Sequence, residues 1–472
     1  MVKSLTLADF VEGIGGGHPA GLEMPVHLVI DSREADATSV FLAFPGENVD
    51  GHDYVADAFS RGALAAVVEH DVDVDAPVLD LRNGAQLATL ATPFVIRVPD
   101  VLKALQQAAT FWREQFETRV IAITGSVGKT TTKELLARVL ARRYKVLRSS
   151  GSYNNEIGLP LTLLKLTSTC ERVVLEMGMY VRGDISCLAC IAHPQVGVIT
   201  NVEPVHAERA GSLENIALGK QELVEALPPA PEGVAVLNYD DPLVRCMAEA
   251  TQAKVFFYGL SPEADLWADQ LQSLGLDGIR LRLHYGKDLV HLRVPLLGRH
   301  SVHTVLRATA VGLVEGMPWQ EIVEGLRSPG AQLRLVSVRG PKDSLILDDT
   351  YNSSPPSALA ALNLLEDLEG RRIAVLGDML ELGEYEEEGH LKVGCRAAGV
   401  VAHLVTVGER ANLFARGARL CGMPPERIHV VEDNDAAVAL LREILEPKDV
   451  ILVKGSRAMQ METIVNALSK GE

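Results

Sequence analysis

The segment ITGSVGKTTTKELL, from Ile123 to Leu136, sets two glycines ahead of a lysine and a run of threonines. Such a loop handles phosphate. Glycines at 125 and 128 let backbone N–H groups approach a polyphosphate, and the helix that follows offers its positive end. Lys129 supplies a mobile charge and the Thr130 hydroxyl a ligand for Mg²⁺. The loop is shortened: the pattern GxxxxGK[ST] would place its first glycine at 123, which is Ile123, so it reads TGxxGKTT. A phosphate loop also needs an acid at a nearby strand end to reach the metal, and Glu176 closes the apolar run RVVLE.

The elements that must position these residues are legible in the apolar pattern. Val120–Ile123 reads as a strand, and Leu135, Leu136, Val139 and Leu140 mark one face of a helix. Apolar strand runs then alternate with helical patterns at 172–176, 196–200, 233–238 and 254–259, the signature of a parallel sheet covered on both faces. Residues 278–296 alternate at period two about a Gly-Lys-Asp turn, which predicts a hairpin. Helices are expected at about 301–315 and 318–327. From Ser328 a second hairpin, then strands at RIAVLG, HLVTVG, RIHVV and DVILVKG, predict a second doubly wound unit. The first hundred residues mix short strands (26–31, 39–44, 64–69, 93–98) with a helix. The expected fold class is α/β in three domains. These are a small N-terminal unit (1–98), a central P-loop parallel-sheet unit (99–327) and a C-terminal Rossmann-like unit (328–472).

Totals bound the partners. The chain has 472 residues, 47% hydrophobic and 23% charged, which suits a globular protein with aliphatic cores. Acids outnumber bases 62 to 45, for a formal charge of −17, which argues against nucleic acid or an anionic membrane as the main partner. No apolar run approaches the ~20 residues of a membrane span, and the N-terminus lacks the apolar stretch of a signal peptide. Six sparse cysteines suit a reducing cytosol. Cys187 and Cys190 form one CxxC without the second pair a zinc ribbon needs, and are expected to be buried thiols on a helix.

Several motifs in order resemble the Mur ligases of peptidoglycan synthesis: TGxxGKTT, EMG at 176–178, NVEPVHAERAGSLENIALGKQE at 201–222, DDTYN at 348–352, GDMLELG at 377–383 and KGSR at 454–457. DSR at 31–33 and FLAFPGENVDGHDY at 41–54 resemble that family's domain for the UDP end of its substrate. The resemblance runs through the whole chain and is greatest to the branch acting on D-alanyl-D-alanine. It implies an ATP-dependent amide-forming ligase that joins this dipeptide to UDP-N-acetylmuramoyl-tripeptide through an acyl phosphate. The enzyme would be a cytoplasmic monomer with no nucleic-acid partner. A sister ligase adding one amino acid, or a non-catalytic nucleotide-binding relative, stays open as an alternative.

The resemblance also assigns residues. Gly125, Ser126, Val127, Gly128, Lys129, Thr130 and Thr131 would hold ATP, with Arg334 near the phosphates and Asp349 at the ribose. Thr130 and Glu176 would hold one Mg²⁺; His206 and Lys220, the latter as a CO₂-derived carbamate, would hold a second. Asn352 would face the reaction with Lys129, and Lys454 and Arg457 would meet a substrate carboxylate. Ser32, Arg33 and Gly46 would face the uridine diphosphate, Asn154 and Asn155 the muramyl peptide. The family's adenine motif GxHNxxNALAA reads GRHSVHTVLRA here, with Ser301 and Thr304 in place of two asparagines. A hydroxyl cannot pair as a side-chain amide does.

Overall fold

Glu315 ties together the two strands that matter most for the site. Its buried carboxylate accepts from Nε of Arg119 (2.7 Å) and from Nε of Arg172, at the starts of the strands that end in the phosphate loop and in Glu176. The structure, a computed structural model, describes residues 2–46, 49–82, 91–205, 208, 211–328 and 336–469. Among these residues the strands form three sheets.

The first sheet holds β1 (His27–Val29), β2 (Ser39–Leu42), β3 (Ala65–Val68), β4 (Val78–Asp80) and β5 (Phe94–Arg97), all parallel, in the order β1-β2-β3-β5-β4. The central sheet holds β6 (Arg119–Thr124), β7 (Val146–Arg148), β8 (Arg172–Glu176), β9 (Val196–Ile199), β10 (Val234–Asn238), β11 (Lys254–Gly259), β12 (Leu266–Ser273), β13 (Ile279–Tyr285) and β14 (Asp288–Val294). Its order is β14-β13-β12-β11-β10-β9-β6-β8-β7, parallel except for the β12-β13-β14 meander. The third holds β15 (Val336–Arg339), β16 (Leu345–Asp349), β17 (Arg372–Gly377), β18 (His403–Val407), β19 (Ile428–Val431) and β20 (Val450–Lys454), in the order β15-β16-β20-β17-β18-β19 with only β15 antiparallel.

The expected α/β class and three units are therefore present. Both predicted hairpins form, as do the helices Val302–Val314 and Trp319–Leu326. β4, β7 and β12 are additions: the first two are three residues long, and β12 reads LWADQLQS, too polar on one face for an apolar run. The helix Val101–Glu114 packs on both the first and the central units. Its buried Leu105, Ala108 and Trp112 belong to one core shared by the two, and the Trp112 indole donates to Leu166 O (3.1 Å). A large apolar side chain such as Leu105 contributes about 1.5–3 kcal/mol when fully buried, so the shared core fixes how the two units meet.

One sequence expectation is corrected, and one feature is new. Cys187 and Cys190 lie on the helix Asp184–Ala192, but both are exposed, because the apolar face of that helix is Ile185, Leu188, Ala189 and Ile191. Cys395 and Cys421 are joined in a disulfide across two packed helices, Glu386–Ala398 and Asn412–Leu420, which a spacing of 26 residues did not announce.

Candidate active site

β6 ends at Thr124 and the chain turns sharply through Gly125 and Gly128, both at positive φ (138° and 87°). A Cβ on Gly125 would lie 1.8 Å from Thr200 Oγ1, so only glycine fits beneath the loop. Gly128 caps the helix Lys129–Leu140 without a side-chain acceptor, which leaves the helix N-terminus open toward the cleft. The loop is held from the side by Asn201, two residues past the end of β9. Its carbonyl accepts from Ser126 N (2.9 Å) and its Oδ1 from Val127 N (2.9 Å). Ser126 Oγ donates to Glu203 O (2.8 Å). Lys129 turns its ammonium back on Gly125 O (2.7 Å) and Ser126 O (3.2 Å).

Beside the loop, β8 delivers Glu176, 2% exposed. Asn154 Nδ2 donates to its Oε1 (2.8 Å), while Oε2 is buried without a hydrogen bond, 4.0 Å from the ammonium of Lys133. Lys133, on the phosphate-loop helix, is itself wholly buried and also lies 3.4 Å from Glu134. A carboxylate with one oxygen free of hydrogen bonds and the Thr130 hydroxyl line the same cleft, a hard oxygen donor set that fits Mg²⁺.

These groups border a cleft of about 1120 Å³ between the central and C-terminal units. It gathers the predicted Ser126–Thr131, Asn154, Asn155, Glu176, Ser301, Thr304, Asp349, Asn352, Lys454 and Arg457. A second cavity of about 350 Å³ adjoins it behind Gly125, Ser126 and Lys129 and contains Lys220. Lys220 is 4% exposed on the helix Leu213–Glu225. Burial pushes its pKa well below the usual lysine value, and the charge of Lys129 pushes the same way. A neutral buried amine is the form that reacts with CO₂. Cys187 borders the same cavity. Burial pushes the pKa of the Glu203 carboxyl at the cleft above its ordinary value, and the charge of Asp241 pushes the same way.

Other predicted residues fall elsewhere. His206 and Arg334 lie outside the described residues. Arg33 is bound to Asp31 in a bidentate pair (2.6–3.1 Å) on the first unit. Neither Ser32, Arg33 nor Gly46 borders either cavity, although Ile30, just past the end of β1, reaches the cleft. Lys454, expected to meet a substrate carboxylate, borders the cleft, but its ammonium is already engaged. It is buried against Asp349 Oδ2 (2.6 Å) and Asn352 O (2.8 Å), and Arg457 is the second cation of KGSR lining the cleft. Ser301 donates its hydroxyl to Leu297 O (2.6 Å), and Asn155 Oδ1 accepts from Gly158 N (2.9 Å). Sequence reasoning missed Asn201, Lys133 and the orienting role of Asn154. Asn201 alone left a trace, as the first residue after a strand in NVEPVH.

Comparison with known proteins covers the chain in order. Residues 26–113 match the Mur ligase family catalytic domain, 123–312 the Mur ligase middle domain and 333–457 the Mur ligase glutamate ligase domain. A UDP-N-acetylmuramoyl-tripeptide–D-alanyl-D-alanine ligase of Bacillus subtilis is 34% identical, over 99% of each chain. The Synechocystis protein of the same name is 35% identical over 94% of this chain and 91% of its own. Among solved structures, MurF of Acinetobacter baumannii superposes with a TM-score of 0.86 at 29% identity over 100% of both chains. The MurF ligase of Thermotoga maritima, solved with ADP, gives 0.78 at 26% identity over 94% and 97%.

Proposed function

This chain belongs to the Mur ligase family, and from that premise we propose that it joins D-alanyl-D-alanine to UDP-N-acetylmuramoyl-tripeptide with ATP, in the cytoplasmic synthesis of peptidoglycan precursor. The observation that carries the reading is the convergence on one cleft of Lys129, Glu176 and the C-terminal segments DDTYN and KGSR, with Lys220 in the cavity behind.

In the first step an oxygen of the tripeptide's terminal carboxylate attacks the γ-phosphorus. The bond to the bridging oxygen breaks and its electron pair leaves with ADP. Two anions must meet, so cations and dipoles do most of the work. Lys129 and the open helix N-terminus neutralise the transferring phosphoryl group. Thr130 and Glu176 would hold Mg²⁺, which when bound supplies further neutralisation of the phosphates. Asn154 keeps the Glu176 carboxylate turned so that one oxygen remains free for the ion.

In the second step the dipeptide amine attacks the carbonyl carbon of the acyl phosphate. A tetrahedral intermediate forms, the amine loses a proton, and phosphate leaves as the carbonyl is restored. Arg457 and Asn352 line the side of the cleft from which the dipeptide would arrive. The neutral Lys220 amine adds to CO₂, forming an N–C bond and releasing a proton. The resulting carbamate, with His206, would hold a second Mg²⁺, because it replaces a repelling ammonium with hard oxygens.

The test is ATP turnover in Mg²⁺ with UDP-N-acetylmuramoyl-tripeptide, with and without D-alanyl-D-alanine, with products weighed by mass spectrometry. Phosphate release that needs both substrates and yields the UDP-linked pentapeptide is expected. Turnover with a single amino acid but not the dipeptide would mark a sister ligase; nucleotide binding without turnover would mark a non-catalytic relative.

A further inference from the structure

Arg307 stands on the helix Val302–Val314, 4% exposed, yet its side chain borders the large cleft. Its Nε donates to Thr132 Oγ1 (2.8 Å), its Nη2 to Thr304 Oγ1 (3.0 Å) and its Nη1 to Tyr258 OH (3.4 Å). All three partners are neutral hydroxyls; burial pushes the Tyr258 phenol up to about 12, so it carries no charge. Among the described residues Arg307 has no carboxylate within ion-pair distance. A buried charge is ordinarily paired, because removal from water is costly. This guanidinium is therefore a buried cation with no counter-charge among the described residues.

Its position says where a counter-charge would come from. A Cβ on Gly128, the residue just before Lys129, would lie 3.1 Å from Nη2. The fork thus sits against the phosphate loop, anchored to the first turn of the phosphate-binding helix through Thr132. A guanidinium has five N–H donors in a fixed plane and always remains charged. Three are engaged, which leaves two for a ligand. The neighbouring hydroxyls do not compete: Ser301 bonds to Leu297 O, and Thr304 accepts from Arg307 itself.

We propose that Arg307 is a further nucleotide-binding residue of this chain, a second cation beside Lys129 that contacts the phosphates of the bound adenine nucleotide. The assignment rests on ATP being the nucleotide of the proposed reaction. It makes phosphate contacts, rather than side-chain amides reading the base, the main source of affinity on this helix.

The experiment is calorimetric titration of wild-type, Arg307→Ala and Arg307→Lys enzymes with ADP and with adenosine, alongside the melting temperature of each without ligand. ADP affinity should fall about ten- to a hundredfold in Arg307→Ala, the value of a hydrogen bond to a charged group. Arg307→Lys should lie between, and adenosine affinity should not change. The unliganded Arg307→Ala protein should melt no lower than wild type, because it loses an uncompensated buried charge, while its stabilisation by ADP shrinks. Undiminished ADP affinity, or an equal loss for adenosine, would overturn the assignment. So would a lower unliganded melting temperature with ADP affinity intact. If Arg307→Ala does not fold, the same criteria apply to Arg307→Lys, which keeps the charge but not the fork. Failure of the wild type itself to bind ADP would overturn the ATP reading, and this assignment with it.

Discussion

Asn154 donates from Nδ2 to Oε1 of Glu176 across 2.8 Å, and the second carboxylate oxygen of Glu176 is left buried with no hydrogen bond. The amide fixes the rotation of the carboxylate, and the Lys133 ammonium lies 4.0 Å behind its second oxygen. Replacing Asn154 by Ala should therefore loosen the metal site without emptying the cleft. A hydrogen bond to a charged group contributes about 1.5–3 kcal/mol. The Mg²⁺ concentration for half-maximal turnover should rise at least about tenfold, with a smaller change in KM for ATP measured at saturating Mg²⁺. An unchanged Mg²⁺ requirement would mean that Asn154 serves only the peptide substrate.

Lys220 is a buried group whose ordinary charge state is wrong for its surroundings. If it acts as a carbamate, Lys220→Ala should lower turnover on the order of a hundredfold or more, the cost of losing one electrostatic contact to a developing charge. Formate or acetate added to the variant should restore part of that rate by occupying the vacated volume with a carboxylate. Wild-type activity in the variant without rescue would refute the carbamate.

The reach of the sequence can be seen by comparing Glu176 with Arg307. Glu176 ends a continuous apolar run next to a phosphate loop, so its place beside that loop follows from local pattern and strand geometry. Arg307 sits in a helix whose period marks it merely as buried. Its meaning comes from Thr132, Gly128 and Tyr258, each distant in sequence, and no window reading brings those together. Asn154 and Lys133 were hidden for the same reason. The central strands were legible because sheets buried on both faces demand apolar runs; β4 and β7 are too short to carry such a run, and β12 alternates at a sheet region with one open face. Exposure of Cys187 and Cys190 turns on which side of a mostly apolar helix meets the core, a question of orientation that composition does not answer.

Lys454 and Asp349 make the buried ion pair of the C-terminal sheet, on the adjacent parallel strands β20 and β16. Their side chains are 1% and 12% exposed. Removing one member of a buried pair costs about 3–5 kcal/mol, because the remaining charge stays desolvated. Lys454→Met should lower the denaturant midpoint accordingly, and the double variant with Asp349→Asn should lose less than the sum of the two. A stable Lys454→Met protein with weakened dipeptide binding would instead return Lys454 to the substrate.

His390 lies under the GDMLELG loop, wholly buried; its Nδ1 donates to Glu386 O (2.7 Å) and its Nε2 accepts from Met379 N (3.2 Å). Burial holds its pKa below the ordinary 6.5. The unfolded chain therefore binds a proton that the folded chain resists. The stability this neutral ring contributes is complete above pH 6.5 and is lost as pH falls from there through the folded value, at most about 1.4 kcal/mol per pH unit. Between pH 7 and pH 5, His390→Gln should lose less stability than wild type. Parallel pH profiles for the two proteins would show that His390 is not a source of acid sensitivity.

The central and C-terminal units also touch across the cleft mouth, where Ser152 Oγ and Tyr351 OH lie 2.5 Å apart and the Arg457 guanidinium lies 5.3 Å from the Tyr351 ring. Behind this contact the cleft still has about 1120 Å³, room for a nucleotide and a peptide together. Chemistry at an acyl phosphate requires exclusion of water, which favours a closed arrangement once both substrates are in place. Binding energy from the nucleotide on one unit and from Arg457 and Asn352 on the other would then favour the closed form, because only there are both sets of contacts made at once. Small-angle scattering should show the radius of gyration fall when a non-hydrolysable ATP analogue and UDP-N-acetylmuramoyl-tripeptide are added together, and fall less with either alone. Identical profiles with and without the pair would show that the cleft works without domain closure.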